Sequence, residues 1–158
     1  MVRCGIGFDV HAFAPNRKLI LGGIEFDYHQ GLAGHSDADV VSHAIADALL
    51  GAAGLGDIGM MFPDTDAANK DISSLYILEK IKESLTQRGY KIINIDVSII
   101  AQQPRIAPHS DKMRKAIAAV LQIDNDAVNI KGKTTEHLGF IGRQEGIAAM
   151  AVAAVEIL

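Results

Sequence analysis

Asp9-Val10-His11 sets a carboxylate and an imidazole two residues apart in a stretch that alternates in polarity. On a strand such residues project from the same face, so the two side chains stand together while Val10 turns away. His43 lies in a segment with helical periodicity, and a helix packed near the strand end can deliver it as a third donor. Two imidazoles and a carboxylate leave one coordination position open, which is the donor set of a catalytic rather than a structural zinc. Spacing alone favours the plainer outcome of a surface Asp and His at a strand end, because D-x-H is a common tripeptide.

Three further clusters carry chemistry. His35-Ser36-Asp37-Ala38-Asp39 precedes the helical segment, and Ser36 with Asp39 reads as a capping box. The same helix start offers free N–H groups to an anion, with His35 just outside to donate a hydrogen bond. Asp39 and Asp47 are candidates for orienting a metal-bound imidazole. Gly56-Asp57-Ile58-Gly59 and Phe62-Pro63-Asp64-Thr65-Asp66 form polar chain where Asp57 suits a ribose diol, although for the lone D-x-D of Asp64 and Asp66 turn formation is the favoured reading. Lys131-Gly132-Lys133-Thr134-Thr135-Glu136 ends a strand with cations, hydroxyls and a carboxylate that suit a phosphate and a magnesium ion; it is not a Walker A loop. A solvated strand exit has the same composition.

The elements that must position these groups follow from periodicity. Val2, Cys4, Ile6, Phe8 and Val10 alternate with Arg3, Gly5, Gly7, Asp9 and His11, giving a strand whose apolar face, Cys4 included, is expected in the core. Leu19 to Ile24 reads as a second strand with a bulge at Gly22-Gly23. Helices are expected from Ser36 to Gly54, from Ile72 to Arg88 with Asp71 as cap, and from Pro108 to Leu121. Lys91–Ala101 and Val128–Lys133 read as strands, the first with Ile93, Ile95, Val97 and Ile99 on one face. The Ala/Val-rich tail from Gly146 admits helix or strand. Mixed strands and helices without a βαβ rhythm predict a single α+β domain over residues 1–158, a sandwich of a mainly four-stranded sheet with helices on one face.

Composition narrows the function classes. The chain has 158 residues, 49% hydrophobic and 22% charged, with a net charge of −4. Its mean hydropathy of +0.18 argues for apolar surface buried between subunits. The acidic balance speaks against nucleic-acid binding. A single cysteine cannot form an intrachain disulfide, which fits a reducing compartment. No apolar run is long enough for a signal peptide or a membrane span, so a cytoplasmic location is expected, or an organellar one had a transit peptide been removed.

Taken together, the blocks GFDVHAF (7–13), GHSDADVVSHAIADALLGAAGLGDIG (34–59), FPDTD (62–66), AQQPR (101–105) and TTEHLGFIGRQEGIA (134–148) closely resemble the 2-C-methyl-D-erythritol 2,4-cyclodiphosphate synthases, over essentially the whole chain. The resemblance implies a phosphorus–oxygen lyase of non-mevalonate isoprenoid biosynthesis. Its substrate is 4-diphosphocytidyl-2-C-methyl-D-erythritol 2-phosphate, whose 2-phosphate attacks the β-phosphorus and expels CMP. It further implies one zinc ion per subunit on Asp9, His11 and His43, and magnesium or manganese on Glu136 with the diphosphate. His35 and Thr134 correspond to transition-state stabilisers.

Substrate contacts are implied at Asp9-Val10-His11, His35-Ser36, Asp57-Ile58-Gly59 and Phe62-Pro63-Asp64-Thr65-Asp66. They continue through Ala101-Gln102-Gln103-Pro104-Arg105-Ile106-Ala107 for cytosine and Lys133-Thr134-Thr135-Glu136 for phosphates. The family is a homotrimer with active sites between subunits. Phe140 and Arg143 match positions near the trimer axis, where some members hold an isoprenoid diphosphate. Lys133 stands where many members have threonine, and Arg105 where lysine is common; no metal ligand is lost. Two other functions use the same residues: metal-dependent phosphate-ester hydrolysis, and noncatalytic nucleotide binding by a trimer.

Overall fold

The computed structural model describes residues 1–63, 65, 66, 69 and 71–158. The sheet is built from β1 (Val2–Ala14), β4 (Gly31–Leu32), β5 (Tyr90–Ile100), β6 (Val128–Lys133) and β7 (Gly146–Ile157) in the order β4-β1-β7-β5-β6. Only β5 and β6 run parallel; the other pairs are antiparallel. The expectation of four principal strands agrees with this sheet, whose fifth strand contributes just two residues at the end of β1.

Helices α1 (Val40–Ala53), α3 (Ser74–Gln87) and α4 (Ser110–Leu121) pack on one sheet face. The short α2 (Ile58–Met61) and α5 (Gly139–Gly142) lie in connections. Buried Ile45, Leu49, Leu78, Ile81, Ile95, Ile99 and Met113 form the core between the layers.

The orientation of β1 reverses the sequence expectation. Gly5 and Gly7 face α1 so closely that a Cβ would stand 2.1 Å from the Ala48 carbonyl oxygen and 2.0 Å from that of Ala44. Only glycine permits this approach, and the alanines of α1 complete it from the other side. The apolar row therefore points outward: Ile6 is 65% exposed, Phe8 54%, and Cys4 is exposed too. Across the register, Ile6 sits opposite Val152 and Phe8 opposite Met150, so the outer sheet face of the single chain is an apolar patch.

Local details differ for physical reasons. Leu19–Leu21 (β2) and Ile24–Phe26 (β3) form a hairpin rather than one bulged strand, because Gly22 and Gly23 take φ of 56° and 75°, a primed turn. Asp39, not Ser36, caps α1. Asp71 has φ of 57° and lies outside α3, whose cap residue is Ser73. A register shift between Ile92 and Asn94 puts Ile92 in the inward row of β5 and leaves Ile93 at the surface. The alanine-rich tail is β7, paired on both sides in the middle of the sheet; those ladders override alanine's helix preference.

Candidate metal centre and active site

The close seat of α1 on β1 brings His43, one turn into the helix, against Asp9 and His11 on the same strand face. Asp9 Oδ2 is 2.8 Å from His11 Nε2 and 3.0 Å from His43 Nδ1, and the two nitrogens are 3.2 Å apart. A tetrahedral ion with bonds of about 2.0–2.1 Å holds its ligand atoms roughly 3.3 Å apart, so the triangle has the size a zinc-like ion requires. Each imidazole also has a partner on its far side: His11 Nδ1 donates to the Ala33 carbonyl, and His43 Nε2 faces the hydroxyls of Ser36 and Ser74. The donor set thus fits a divalent metal, and among the described residues it is the one cluster that does.

Electrostatics agree. Burial penalises the Asp9 charge, yet hydrogen bonds and attraction from both imidazoles outweigh it and hold the carboxyl well below the usual carboxylate range. Burial also opposes protonation of His11, but the Asp9 carboxylate prevails and pushes its imidazole up. The site keeps an ionised carboxylate and draws in positive charge.

This triangle lines a cleft of about 260 Å³ shared with His35, Ser36, Asp47, Ile58, Gly59, Phe62 and Asn69. His35 is exposed there, and its carbonyl accepts from Asp71 N at 2.9 Å. Asp57 caps α2 by accepting from Met60 N at 2.9 Å, which leaves it exposed beside the cleft. Pro63 O accepts from Asn69 Nδ2 at 2.9 Å and from Asp66 N at 3.1 Å, and Thr65 is exposed. Asp64 lies outside the described residues.

A second cavity of about 190 Å³ is lined by Ala101, Gln102, Pro104, Arg105, Ile106, Ala107, Gly132, Lys133 and Thr134. Gln103 is exposed beside it. Thr134 Oγ1 donates to Glu136 Oε1 at 3.0 Å, and His137 N donates to Gln102 Oε1 at 3.1 Å, so the two loops are tied together. Thr135 is occupied in donating to the Leu138 carbonyl at 2.7 Å. Phe140 is exposed on α5, and Arg143 donates to Glu145 at 2.7 Å.

One row across the sheet, Asp9–Ala149–Ile99–Gly132, connects the two cavities. Three strand spacings of about 4.8 Å separate its ends by roughly 14 Å. The single chain therefore gathers the predicted residues into two groups at the same sheet end. His35 belongs to one and Thr134 to the other, and the chain does not bring them together.

The family model for the YgbB family matches residues 2–156. The chain belongs to the YgbB family. Within that family, a protein of Syntrophomonas wolfei named 2-C-methyl-D-erythritol 2,4-cyclodiphosphate synthase is 54% identical over 155 residues, covering 98% of this chain and 99% of its own. Among solved structures, the bifunctional IspDF of Campylobacter jejuni superposes with a TM-score of 0.96 at 42% identity, over 100% of this chain and 43% of that longer one. The Plasmodium falciparum IspF–CDP complex gives 0.86 at 34% identity, over 98% of this chain and 95% of the other. The YgbB assignment agrees with the motif blocks and with the mixed sheet and its helical layer.

Two expectations about support groups are corrected. Asp39 is fully buried and accepts from Gly22 N, Gly23 N, Val41 N, Ser42 N and Ser42 Oγ, so it clamps the hairpin to α1 instead of orienting an imidazole. Burial pushes its carboxyl upward despite these bonds. Asp47 accepts from Ile58 N at 2.8 Å and holds α2. Sequence reasoning passed over Arg17, which donates to the Gly34 and Ser36 carbonyls at 2.8 Å each and shapes the loop around His35. It also missed Ser74 and the part played by Asp37. A polar pair at a helix start, Ser73-Ser74, was the available signal.

Proposed function

We propose that this chain is a 2-C-methyl-D-erythritol 2,4-cyclodiphosphate synthase of isoprenoid biosynthesis. It converts 4-diphosphocytidyl-2-C-methyl-D-erythritol 2-phosphate into the cyclic diphosphate and CMP. The observation that carries the reading is the convergence of Asp9 Oδ2, His11 Nε2 and His43 Nδ1 in a cleft bordered by His35, in a chain aligned almost end to end with proteins of that name.

In the reaction the 2-phosphate oxygen forms a bond to the β-phosphorus as the bond to the CMP oxygen breaks, and no water enters. Two anions must meet, so the protein's task is alignment and charge neutralisation. Zinc on Asp9, His11 and His43, and magnesium or manganese on Glu136, supply Lewis-acid polarisation and neutralise phosphate charge when bound. His35 and Ser36, with the backbone of the loop that Arg17 shapes, bind one phosphate. The Lys133 ammonium group and the Thr134 hydroxyl meet the other, while Thr135, whose hydroxyl donates to the Leu138 carbonyl, holds the loop that presents them. Asp57, Ile58 and Gly59 hold the sugar, the 62–66 stretch flanks it, and the backbone of 101–107 reads the cytosine edge.

The chain works as a homotrimer whose sites join the metal cleft of one subunit to the nucleotide pocket of the next. Support comes from the apolar outer row Ile6, Phe8, Met150 and Val152 and from the two separate residue groups. Phe140 and Arg143 stand near its axis, where an isoprenoid diphosphate fits. No helix among the described residues is long and apolar enough to cross a membrane. A cytoplasmic setting suits the exposed thiol of Cys4.

Turnover of the cytidine diphosphate substrate, followed by mass spectrometry before and after metal removal, tests the reading. Equal amounts of CMP and cyclic diphosphate are expected, with both lost after chelation and restored by zinc with magnesium. A ring-opened product would assign the site to hydrolysis, and binding without turnover would leave a nucleotide-binding trimer.

A further inference from the structure

His43 meets the metal position with Nδ1, whereas His11 uses Nε2, and the nitrogen each ring turns away has a different partner. For His11 that partner is a backbone carbonyl, which can only accept, so the ring is fixed with its proton on Nδ1. For His43 the partners are hydroxyls, which donate or accept, and a hydroxyl alone does not select a tautomer.

Asp37 removes this ambiguity. Its Oδ1 is in short contact with Ser74 Oγ, and its Oδ2 accepts from Ser74 N at 2.9 Å. A carboxylate has no proton to offer, so the Ser74 hydroxyl spends its own proton on Asp37. Only lone pairs remain on Ser74 Oγ to face His43 Nε2, 3.0 Å away. Nε2 must then carry the hydrogen, and Nδ1 is left bare toward Asp9 and His11. Ser74 is fully buried, so water does not substitute for it. Ser36 Oγ, 3.1 Å from Nε2, accepts from Ala38 N and contributes no comparable demand.

The geometry assigns Asp37 and Ser74 as a positioning pair that holds the His43 ring with Nε2–H outward and Nδ1 toward the metal. The assignment rests on the metal reading given above and adds the groups that orient its third ligand. Neither residue touches the reacting atoms. The pair also joins two segments, since Asp37 N donates to the Ile72 carbonyl and Ser74 opens α3. The segment 72–74 is thereby built into the support of the metal centre.

The test uses the full-length protein loaded with zinc, in parent, Ser74→Ala and Asp37→Asn forms. Zinc affinity is measured by competition with a chelator, and the His43 Nε2–H resonance is followed by proton–nitrogen NMR. Ser74→Ala is expected to weaken zinc binding by about 10–100-fold, the usual effect of losing an outer partner of a ligating histidine. Its Nε2–H signal moves upfield and exchanges faster with water. Asp37→Asn keeps the size of the cap but no longer requires the hydroxyl proton, so both readouts shift the same way by less.

Loss of a helix cap alone would lower thermal stability without moving that resonance. Zinc affinity within about twofold of the parent in both variants, with an unchanged Nε2–H signal, overturns the assignment while the metal reading stands. If Ser74→Ala does not fold, Asp37→Asn decides by the same two readouts. A parent that binds no zinc overturns the metal reading and the pair with it.

Discussion

The two halves of the candidate site are finished to different degrees. Around Asp9, His11 and His43, the described contacts give every ligand atom and every far nitrogen a partner, and the enclosing chain is braced by Arg17, Asp37 and Asp39. Around Ala101–Ala107 and Lys133–Glu136 the polar groups are exposed and bond mainly to their own loops. The first half is organised by packing within one chain, where the cost of ordering is met during folding. The second stands at the other side of the sheet with little covering it. One chain thus completes the candidate metal triad by itself, whereas the second cavity is left open, as the proposed intersubunit site requires.

Val152→Asp is the strongest challenge to that contrast. If the proposed trimer forms on this face, a charge in the outer apolar row should dissociate it and lower turnover by about 10³-fold, several kcal/mol of lost alignment, while the separated chains still bind zinc. Sedimentation with metal analysis checks this, and a monomer at full activity would break the comparison. Gly7→Ala attacks the other half, because its Cβ would collide with the Ala44 carbonyl oxygen at 2.0 Å. We expect about 1–3 kcal/mol of destabilisation and weaker zinc binding. Gly132→Ala meets the Ile106 side chain instead, at 2.8 Å, and should spare zinc while altering nucleotide affinity.

Glu136→Gln should shift the magnesium requirement upward by about tenfold, with zinc content unchanged, as read by a magnesium titration of turnover. The smallest effect concerns pH in the metal-free chain. The depressed Asp9 carboxyl contributes stability above the unfolded value of about 3.9, and this is lost as pH falls through its lower folded value. The raised His11 imidazole contributes below about 6.5 and loses that contribution as pH climbs through its higher folded value. The pair therefore helps most between about pH 4 and 6.5. Thermal melts of chelated protein should show Asp9→Asn losing its deficit from pH 5 to pH 8.5, whereas zinc affinity in the parent rises over that span as His11 gives up its proton.

Much of this was legible before folding was considered. Asp9 and His11 had to share a face, since a strand has a period of two, and His43 had to sit on a helix of alanine and leucine. The motif blocks ranked these residues above other Asp and His positions. The Asp37–Ser74 contact was not legible, because 37 residues separate its members and neither stands out locally. The cap of α1 is Asp39 rather than the expected Ser36 for a related reason: Asp39 is chosen by the distant amides of Gly22 and Gly23 as much as by its own helix.

The sequence by itself determined which residue types are available and which of them share a face of one element, because those follow from the geometry of a single strand or helix. Tertiary structure decided which face turns inward. Alternation says that β1 has a glycine side and an apolar side, but the alanine surface of α1, which only glycine can approach, selects the glycine side for the core. That choice carries Asp9 and His11 to His43 and leaves Ile6 and Phe8 outside, so one packing contact decides both where the candidate metal triad gathers and which apolar face stays exposed on the single chain.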